Sequence, residues 1–464
     1  MALLACFAAE LAYANPVGPV VVNGRVTFTQ AGSLLSVTNS PGSIINWQQF
    51  SIGAGDTTRF IQQSPASAVL NRVIGANPSS ILGALQSNGR VFLINPNGII
   101  FGLGARIDVG GLVASTLRLS NEDFLAGRLN FTRDPAKAEA AVVNEGRITA
   151  SQGGRVYLIG SAVDNKGVIT APSGEVVLAA GSSVRVTESA GSRLQVEITA
   201  PADSAINLSE AVYGSRGIYG GLVRNSGTIR ADSAVQTADG RIILKASKDV
   251  TLENTSVLSA SGAKGGAITA QAQGGTLLVD GRVDATGSEA KGGEIHLLGE
   301  RVGLINAAQV DASGKTGGGT VLVGGDYQGK NPEIQNASRT YVGPEATIKA
   351  DATDAGDGGK VIVWADDTTI FRGAISARGG ESAGNGGFAE VSGKEVLQFR
   401  GTVDTRAPMG ATGTLLLDPA DITILNGSGN GSGDGDASTT SFTGNPSGAL
   451  GTVLAADAGP STIY

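Results

Sequence analysis

A short phrase returns along most of this chain at a nearly fixed interval, and that recurrence constrains the fold more than any other feature. Gly265-Gly266-Ala267-Ile268, Gly292-Gly293-Glu294-Ile295 and Gly318-Gly319-Thr320-Val321 stand one interval apart, and so do Gly358-Gly359-Lys360-Val361, Gly386-Gly387-Phe388-Ala389 and Gly413-Thr414-Leu415. Val283-Asp284-Ala285 and Val310-Asp311-Ala312 share that offset, as do Ile348-Lys349-Ala350 and Ile375-Ser376-Ala377. Nearer the N-terminus the interval shortens. Asn144-Glu145-Gly146-Arg147-Ile148 returns as Asn165-Lys166-Gly167-Val168-Ile169, then as Asn225-Ser226-Gly227-Thr228-Ile229. An interval of roughly 20 to 28 residues is the length of one solenoid coil.

Within each copy, apolar residues alternate over a few positions, as in Arg241-Ile242-Ile243-Leu244-Lys245, which is strand patterning. Helical repeats would need longer runs with a period of about 3.6 and little Gly. Leucine-rich repeats would need a Leu/Asn framework that is missing. Collagen is excluded because Gly has no period of three. The expected fold is therefore all-β, a right-handed parallel β-helix, the hand following that of parallel crossovers. One coil buries its inward side chains only by stacking on its neighbours, at about 4.8 Å per coil. Roughly sixteen coils would make a rod on the order of 80 Å long. Gly, 70 of 464 residues, is expected to supply φ > 0 in many tight turns. Aromatics are only 5%, which suits a narrow aliphatic core into which large rings fit poorly.

The net charge is −7 and the pI about 5.0. No basic stripe exists to displace counterions from phosphate, so nucleic acid is not an expected partner. Residues 1–14 read as an export signal: Met1 to Ala9 is almost wholly apolar, and Ala12-Tyr13-Ala14 is an A-x-A site placing cleavage between Ala14 and Asn15. The basic n-region is missing, which points to a start inside a longer leader. The run is too short to span a bilayer. Cys6, the single cysteine, falls here, so the mature chain would need no disulfide. Leu3-Leu4-Ala5-Cys6 loosely resembles a lipoprotein box, but apolar residues continue after it.

Residues 15 to about 140 have longer strand runs, more aromatics and less regular spacing. An irregular N-terminal cap is expected there, because an open solenoid end is a sheet edge that invites aggregation. Ser120 to Ala126 is expected as a short helix, with Ser120 as N-cap and Glu122 and Asp123 in the first turn. Arg90-Val91-Phe92-Leu93-Ile94-Asn95-Pro96-Asn97-Gly98-Ile99-Ile100-Phe101-Gly102 reads as strand–turn–strand. Pro96 presets φ at the second turn position. Asn97 and Gly98 tolerate the tight or left-handed conformations after it, and Asn side chains can bond the local backbone.

This segment resembles the NPNGI signature of the secretion domain in two-partner secretion exoproteins, the filamentous-haemagglutinin and high-molecular-weight adhesin family. Ile45-Asn46-Trp47-Gln48-Gln49-Phe50 resembles that family's INW-x-QF segment, and Ser67-Ala68-Val69-Leu70-Asn71-Arg72-Val73 its SAV-x-NRV segment. Ile81 to Leu85 and Asn88-Gly89 lead into the turn as in the family. Leu415-Leu416-Leu417-Asp418-Pro419 and Asp421-Ile422-Thr423-Ile424 resemble a recurrent phrase further on. The second haemagglutinin signature, NPNL, has no copy. Asn77-Pro78-Ser79-Ser80 is the nearest string and stands elsewhere, so the chain looks closer to the high-molecular-weight branch.

The resemblance implies a secretion domain over 15–250, β-helix repeats over 251–418 and, over 419–464, a Gly/Ser-rich linker and the start of a truncated downstream region. It also implies passage through the general secretion channel, then through a dedicated outer-membrane β-barrel transporter whose POTRA domains bind the secretion domain. The product would be a secreted or cell-surface adhesin with an unknown receptor. Asn95, Pro96, Asn97 and Gly98 are the candidate determinant of transporter recognition, with Trp47, Gln49 and Phe50 in support. The alternative is that these residues only shape the cap.

Other readings weigh less. A β-helix polysaccharide-active enzyme needs a catalytic constellation, and fold does not give function. The single His, His296, sits in a strand pattern, no metal motif such as H-E-x-x-H is present, and neither catalytic nor cofactor-binding residues are expected. Asp351, Asp354 and Asp357 read as a solvated turn rather than a calcium site. Asp434 and Asp436 fail the calcium nonapeptide pattern, and Asp203 and Glu210 lack paired-carboxylate spacing. An autotransporter passenger would carry its own barrel; no barrel strands appear before Tyr464, but the chain stops abruptly after a Gly/Ser/Asp linker from Asn426 to Gly451, as a truncated one would, so this alternative stays open. The N-x-S/T strings at Asn130, Asn207, Asn254, Asn336, Asn426 and Asn430 are about what composition would give.

Overall fold

The computed structural model describes residues 15–189, 193–199, 221–233, 240–418, 421–424 and 460–463. The expected signal segment with Cys6 and Ala14 lies outside the described residues, as do Asp203, Asn207, Glu210, Asn426, Asn430, Asp434 and Asp436. One 37-stranded sheet winds through the described residues, and from Leu34 onward its strands pair in parallel with strands one coil away. This is the expected parallel β-helix.

The repeat phrases are the coils seen edge-on. Asn144 pairs with Asn165 and Asn165 with Asn225; Val283 pairs with Val310 and Ile348 with Ile375. Inward side chains form continuous columns. One runs Val91, Leu112, Val156, Val176, Ile242, Ile268, Ile295, Val321, Val361 and Ala389, each paired with the next. At about 25 cal/mol per Å2 of apolar area removed from water, such a column is where hydrophobic stabilisation accumulates. No coil can supply it alone.

The Gly pairs do something other than turn the chain. Gly266, Gly293, Gly319, Gly359, Gly387 and Gly413 do not have positive φ. A Cβ on any of them would instead lie 2.0–2.2 Å from the carbonyl oxygen of the glycine one coil earlier. The same holds at 2.1 Å for Gly167 and Gly227. At each of these two corners backbone stacks directly on backbone, and the period in sequence records a steric exclusion repeated from coil to coil.

The asparagines of the shorter-interval phrase face inward beside the Gly146, Gly167 and Gly227 corner and form a buried ladder. Asn144 Nδ2 donates to Asn165 Oδ1 at 2.7 Å, Asn165 Nδ2 to Asn225 Oδ1 at 2.7 Å, and Asn225 Nδ2 to Ser256 Oγ at 2.6 Å. Each buried amide is paired, as burial of a polar group requires.

Three features depart from expectation. The irregular cap is short: only Val20–Asn23 and Val26–Ala31 pair antiparallel with the first coil strands, and regular stacking begins at Leu34 rather than near residue 140. Large rings do enter the core. Trp47, Phe50, Phe60 and Phe101 are fully buried, Trp47 edge-on to Phe50 at 5.5 Å and Phe50 stacked with Phe60 at 6.4 Å. Finally, a separate antiparallel sheet of Arg118–Leu119, Leu129–Thr132, Ser183–Ser189 and Arg193–Thr199 packs against one outer face. It covers Phe92, Val113, Tyr157 and Val177, which point outward from their coils. The signal was in the sequence: Val156 to Ile159 and Val176 to Ala180 are unbroken apolar runs, as expected of a strand buried on both faces. The expected helix is present as Asn121–Leu125, with the Ser120 side chain accepting from Asp123 N–H.

Candidate functional site

The segments singled out in the sequence lie on adjacent coils. Strand Ser43–Trp47 pairs with Ala68–Val73, which pairs with the Arg90–Ile94 end of a longer strand. Trp47 Nε1 donates to Asn71 Oδ1 at 3.0 Å, and Asn71 Nδ2 donates to the Phe92 carbonyl at 3.2 Å. One hydrogen-bonded chain thus ties three coils together, with Trp47 and Asn71 fully buried.

The Asn95–Gly98 turn closes over this stack. Asn95 is fully buried, and its Nδ2 donates to the Asn77 carbonyl and to Ser79 Oγ, both at 3.0 Å. Its Oδ1 accepts from Asn97 N–H and Asn97 Nδ2, each at 3.0 Å. Asn97 Nδ2 also donates to the Gly75 carbonyl at 2.9 Å, and Gly98 N–H donates to the Asn95 carbonyl at 3.1 Å. Gly98 has φ +120°, a region open to glycine and rarely to other residues. Both asparagines therefore clamp the Gly75–Ser79 loop of the preceding coil, and a residue at 75 other than Gly would strike the Gln48 carbonyl at 2.1 Å. Asn77-Pro78-Ser79-Ser80, set aside in the sequence as a misplaced signature, is the loop that the turn grips.

Beside the turn runs a groove lined by Arg72, Gly75, Pro96, Asn97, Arg118, Asp134 and Lys137. Arg72 donates to the Leu119 carbonyl at 2.9 Å and to Asn121 Oδ1 at 2.8 Å, joining the coil to the outer sheet and its helix. Burial, then the neighbouring Arg118, hold the Arg72 guanidinium below its ordinary pKa. Arg118 forms an ion pair with buried Asp134. Lys137 Nζ donates to Asn97 Oδ1 at 3.3 Å. Asn71, Arg72, Gly75 and Lys137 were not nominated from sequence, although the first two lie inside a motif quoted there.

The nominated residues divide by exposure. Pro96 and Asn97 are half-buried at the groove, whereas Asn95, Gly98, Trp47 and Phe50 are enclosed. Gln49 is half-buried, and its backbone bridges to Val17, with Val17 N–H donating to its carbonyl at 2.9 Å. Asn15, the expected first residue after cleavage, is tucked in: its Nδ2 donates to the Ser33 carbonyl and its Oδ1 accepts from Thr58 Oγ1, both at 3.0 Å.

The residues weighed for other chemistry are placed apart from this site. His296 stands half-buried on the outer face, stacked between Thr269 and Leu322. Asp351, Asp354 and Asp357 do not converge. Each accepts from the next coil: Asp351 from Arg378 N–H at 2.7 Å, Asp354 from Ser382 Oγ at 3.1 Å, Asp357 from Asn385 N–H at 2.7 Å. Among the described residues no three His, Cys, Asp or Glu side chains gather as metal ligands.

The family model described as TPS secretion domain matches residues 12–270, more than half of the chain and all of the coils around the turn. The chain belongs to the TPS secretion domain family. The crystal structure of the HMW1 secretion domain from Haemophilus influenzae superposes with a TM-score of 0.71 at 32% identity, covering 86% of this chain and all of that one. A heme/hemopexin-binding protein of Haemophilus influenzae strain Rd is 33% identical over 169 residues, which is 31% of this chain and 19% of that protein. A second heme/hemopexin-binding protein of Haemophilus influenzae is 40% identical over 114 residues, 24% of this chain and 12% of that protein. The chain thus spans less than a fifth of the length of these curated relatives.

Proposed function

We propose that this chain is the N-terminal part of a secreted adhesin-like exoprotein, and that its secretion domain directs export through a dedicated outer-membrane barrel. The membership over residues 12–270 carries this reading. The product is released or held at the cell surface, and the partner's periplasmic POTRA domains bind the secretion domain before it folds. The general secretion channel delivers the chain to the periplasm once residues 1–14 are removed. Residues 251–418 extend the solenoid.

Enclosure of Trp47, Phe50 and Asn95 supports recognition of the unfolded chain, since these side chains are unavailable afterwards. The same residues then lock the first coils, so recognition and early folding use one set of side chains. Such folding outside the cell favours outward movement without nucleotide hydrolysis, because a solenoid grows by adding coils to a finished end. The chain is read as non-enzymatic, in keeping with carboxylates spent on bracing turns. The curated relatives bind heme or hemopexin according to their names, but the likeness covers less than a fifth of their length, so no such binding is assigned to this chain.

The test is secretion with and without the co-expressed transporter. Medium should contain the protein only when the barrel is present, and Asn95→Ala or Asn97→Ala should lower its yield. Normal secretion of both variants would remove the turn from recognition. Secretion without the barrel would overturn the whole reading.

A further inference from the structure

Between strands Thr320–Val323 and Arg339–Val342 the chain leaves its coil and returns, and the excursion, residues 324–338, bonds earlier coils through Gln335 and Ser338 and lies against the outer face of later coils through Tyr327, Gln328 and Ile334. It carries a short 3-10 turn at Tyr327–Gly329, where Gln328 has φ +53°, a left-handed conformation costly for a side-chain-bearing residue. The groups that hold Gln328 there are distant in sequence. Its N–H donates to both oxygens of Glu390, at 3.2 and 3.3 Å, and its Nε2 donates to Asp418 Oδ2 at 3.2 Å. Tyr327 meets Phe388 edge-on at 5.8 Å, and Ile334 packs on the cluster of Leu322, Ile362 and Trp364. One strap therefore touches coils contributed 62 and 90 residues further on.

Glu390 is an anomaly of the outer column. The register places it after His296, Leu322 and Ile362 and before Leu416, and it is fully buried under the strap. The groups facing it are few. Ser392, two residues along its own strand, hydrogen bonds to it, and Asp418, itself buried, opposes its charge. Lys360 favours its charge, but Lys360 Nζ donates to Asp326 Oδ1 of the strap at 2.6 Å. Two buried carboxyl groups thus share a site whose nearby cation is bound to a third.

We propose that residues 324–338 are a proton-controlled clasp, closed over Glu390 and Asp418 in mildly acidic surroundings and loosened in alkaline ones. Burial under the strap raises Glu390 from 4.5 to about 7; the Gln328 N–H, Ser392 and Lys360 favour the charged form and Asp418 the neutral one, and burial outweighs the bonds that oppose it. The closed clasp therefore binds a proton more tightly than an open one, in which Glu390 meets water. That advantage is complete below pH 4.5 and is lost as pH climbs through 7. The strap also emerges before the coils it grips, so it closes only after the strands bearing Glu390 and Asp418 have stacked. It reports completion of those coils. None of this depends on the transporter.

Amide hydrogen exchange on the whole chain, corrected for intrinsic rates, tests it at pH 5.5 and pH 8. Protection of 324–338 should fall about tenfold or more at the higher pH, while strand Arg155–Gly160 stays unchanged. Glu390→Gln, which keeps shape and removes the titration, should hold high protection at both values, and Asp418→Asn should shrink the fall. A pH-independent wild-type strap, or a Glu390→Gln strap that still loosens at pH 8, would overturn the proposal.

Discussion

The first coils, residues 34–115, and the later ones, from 240 to 418, share one fold and are held by different means. The first are fastened by particular side chains: Trp47 to Asn71, Asn71 to the Phe92 carbonyl, Asn95 and Asn97 to the loop beneath. None of these bonds is repeated further along the described residues. The later coils also carry side-chain bonds between neighbours, as at Asp351, Asp354 and Asp357, but what recurs in them is a missing Cβ at each Gly266, Gly293, Gly319, Gly359 and Gly387, which lets coil after coil meet its neighbour the same way. On the proposed function, the contrast would separate a segment that is recognised and starts folding from one that only continues it. Specific bonds make the first unique; identical contacts make the second extensible.

The comparison breaks most visibly at a corner glycine. Gly359→Ala places a methyl 2.1 Å from the Gly319 carbonyl, and the backbone on both sides leaves no flexible side chain to give way. We expect a loss of about 4 kcal/mol or local unstacking of the coils after it, read by denaturant titration and by hydrogen exchange over 360–418. Trp47→Ala comes next. It empties a fully buried site and strips Asn71 Oδ1 of its donor, for about 3 to 4 kcal/mol in the same titration, with lost protection confined to the first coils. Asn165→Ala should cost about 2 kcal/mol, because it leaves Asn144 Nδ2 without its acceptor and Asn225 Oδ1 without its donor, both buried. Equal and spread-out losses for Gly359→Ala and Trp47→Ala would mean that the two regions are not held differently.

The solenoid was legible because its constraint repeats. A Gly pair returning once per coil is hard to mistake, even though its cause lies in contact between coils rather than in turn conformation. The early coils hid their regularity, because their spacing varies and their rings suggested an irregular module. The turn at Asn95–Gly98 was legible as a turn. Its grip on Gly75 and Asn77 was not, since a bond across 18 to 22 residues depends on where the previous coil ends. The clasp was illegible for the same reason, extended to 90 residues. Glu390 reads in sequence as one more exposed position of an alternating strand, and only the strap above it makes it buried.

Deleting single coils from the whole chain tests the division of labour directly. Removing residues 266–292 joins Gly265 to Gly293 and keeps the later stack in register, whereas removing 84–105 takes out the coil that carries the Asn95–Gly98 turn. With the transporter co-expressed, the first deletion should be secreted nearly as well as the intact chain, and the second should stay in the periplasm. Equal secretion of the two, in either direction, would contradict the claim that the early coils carry the export information.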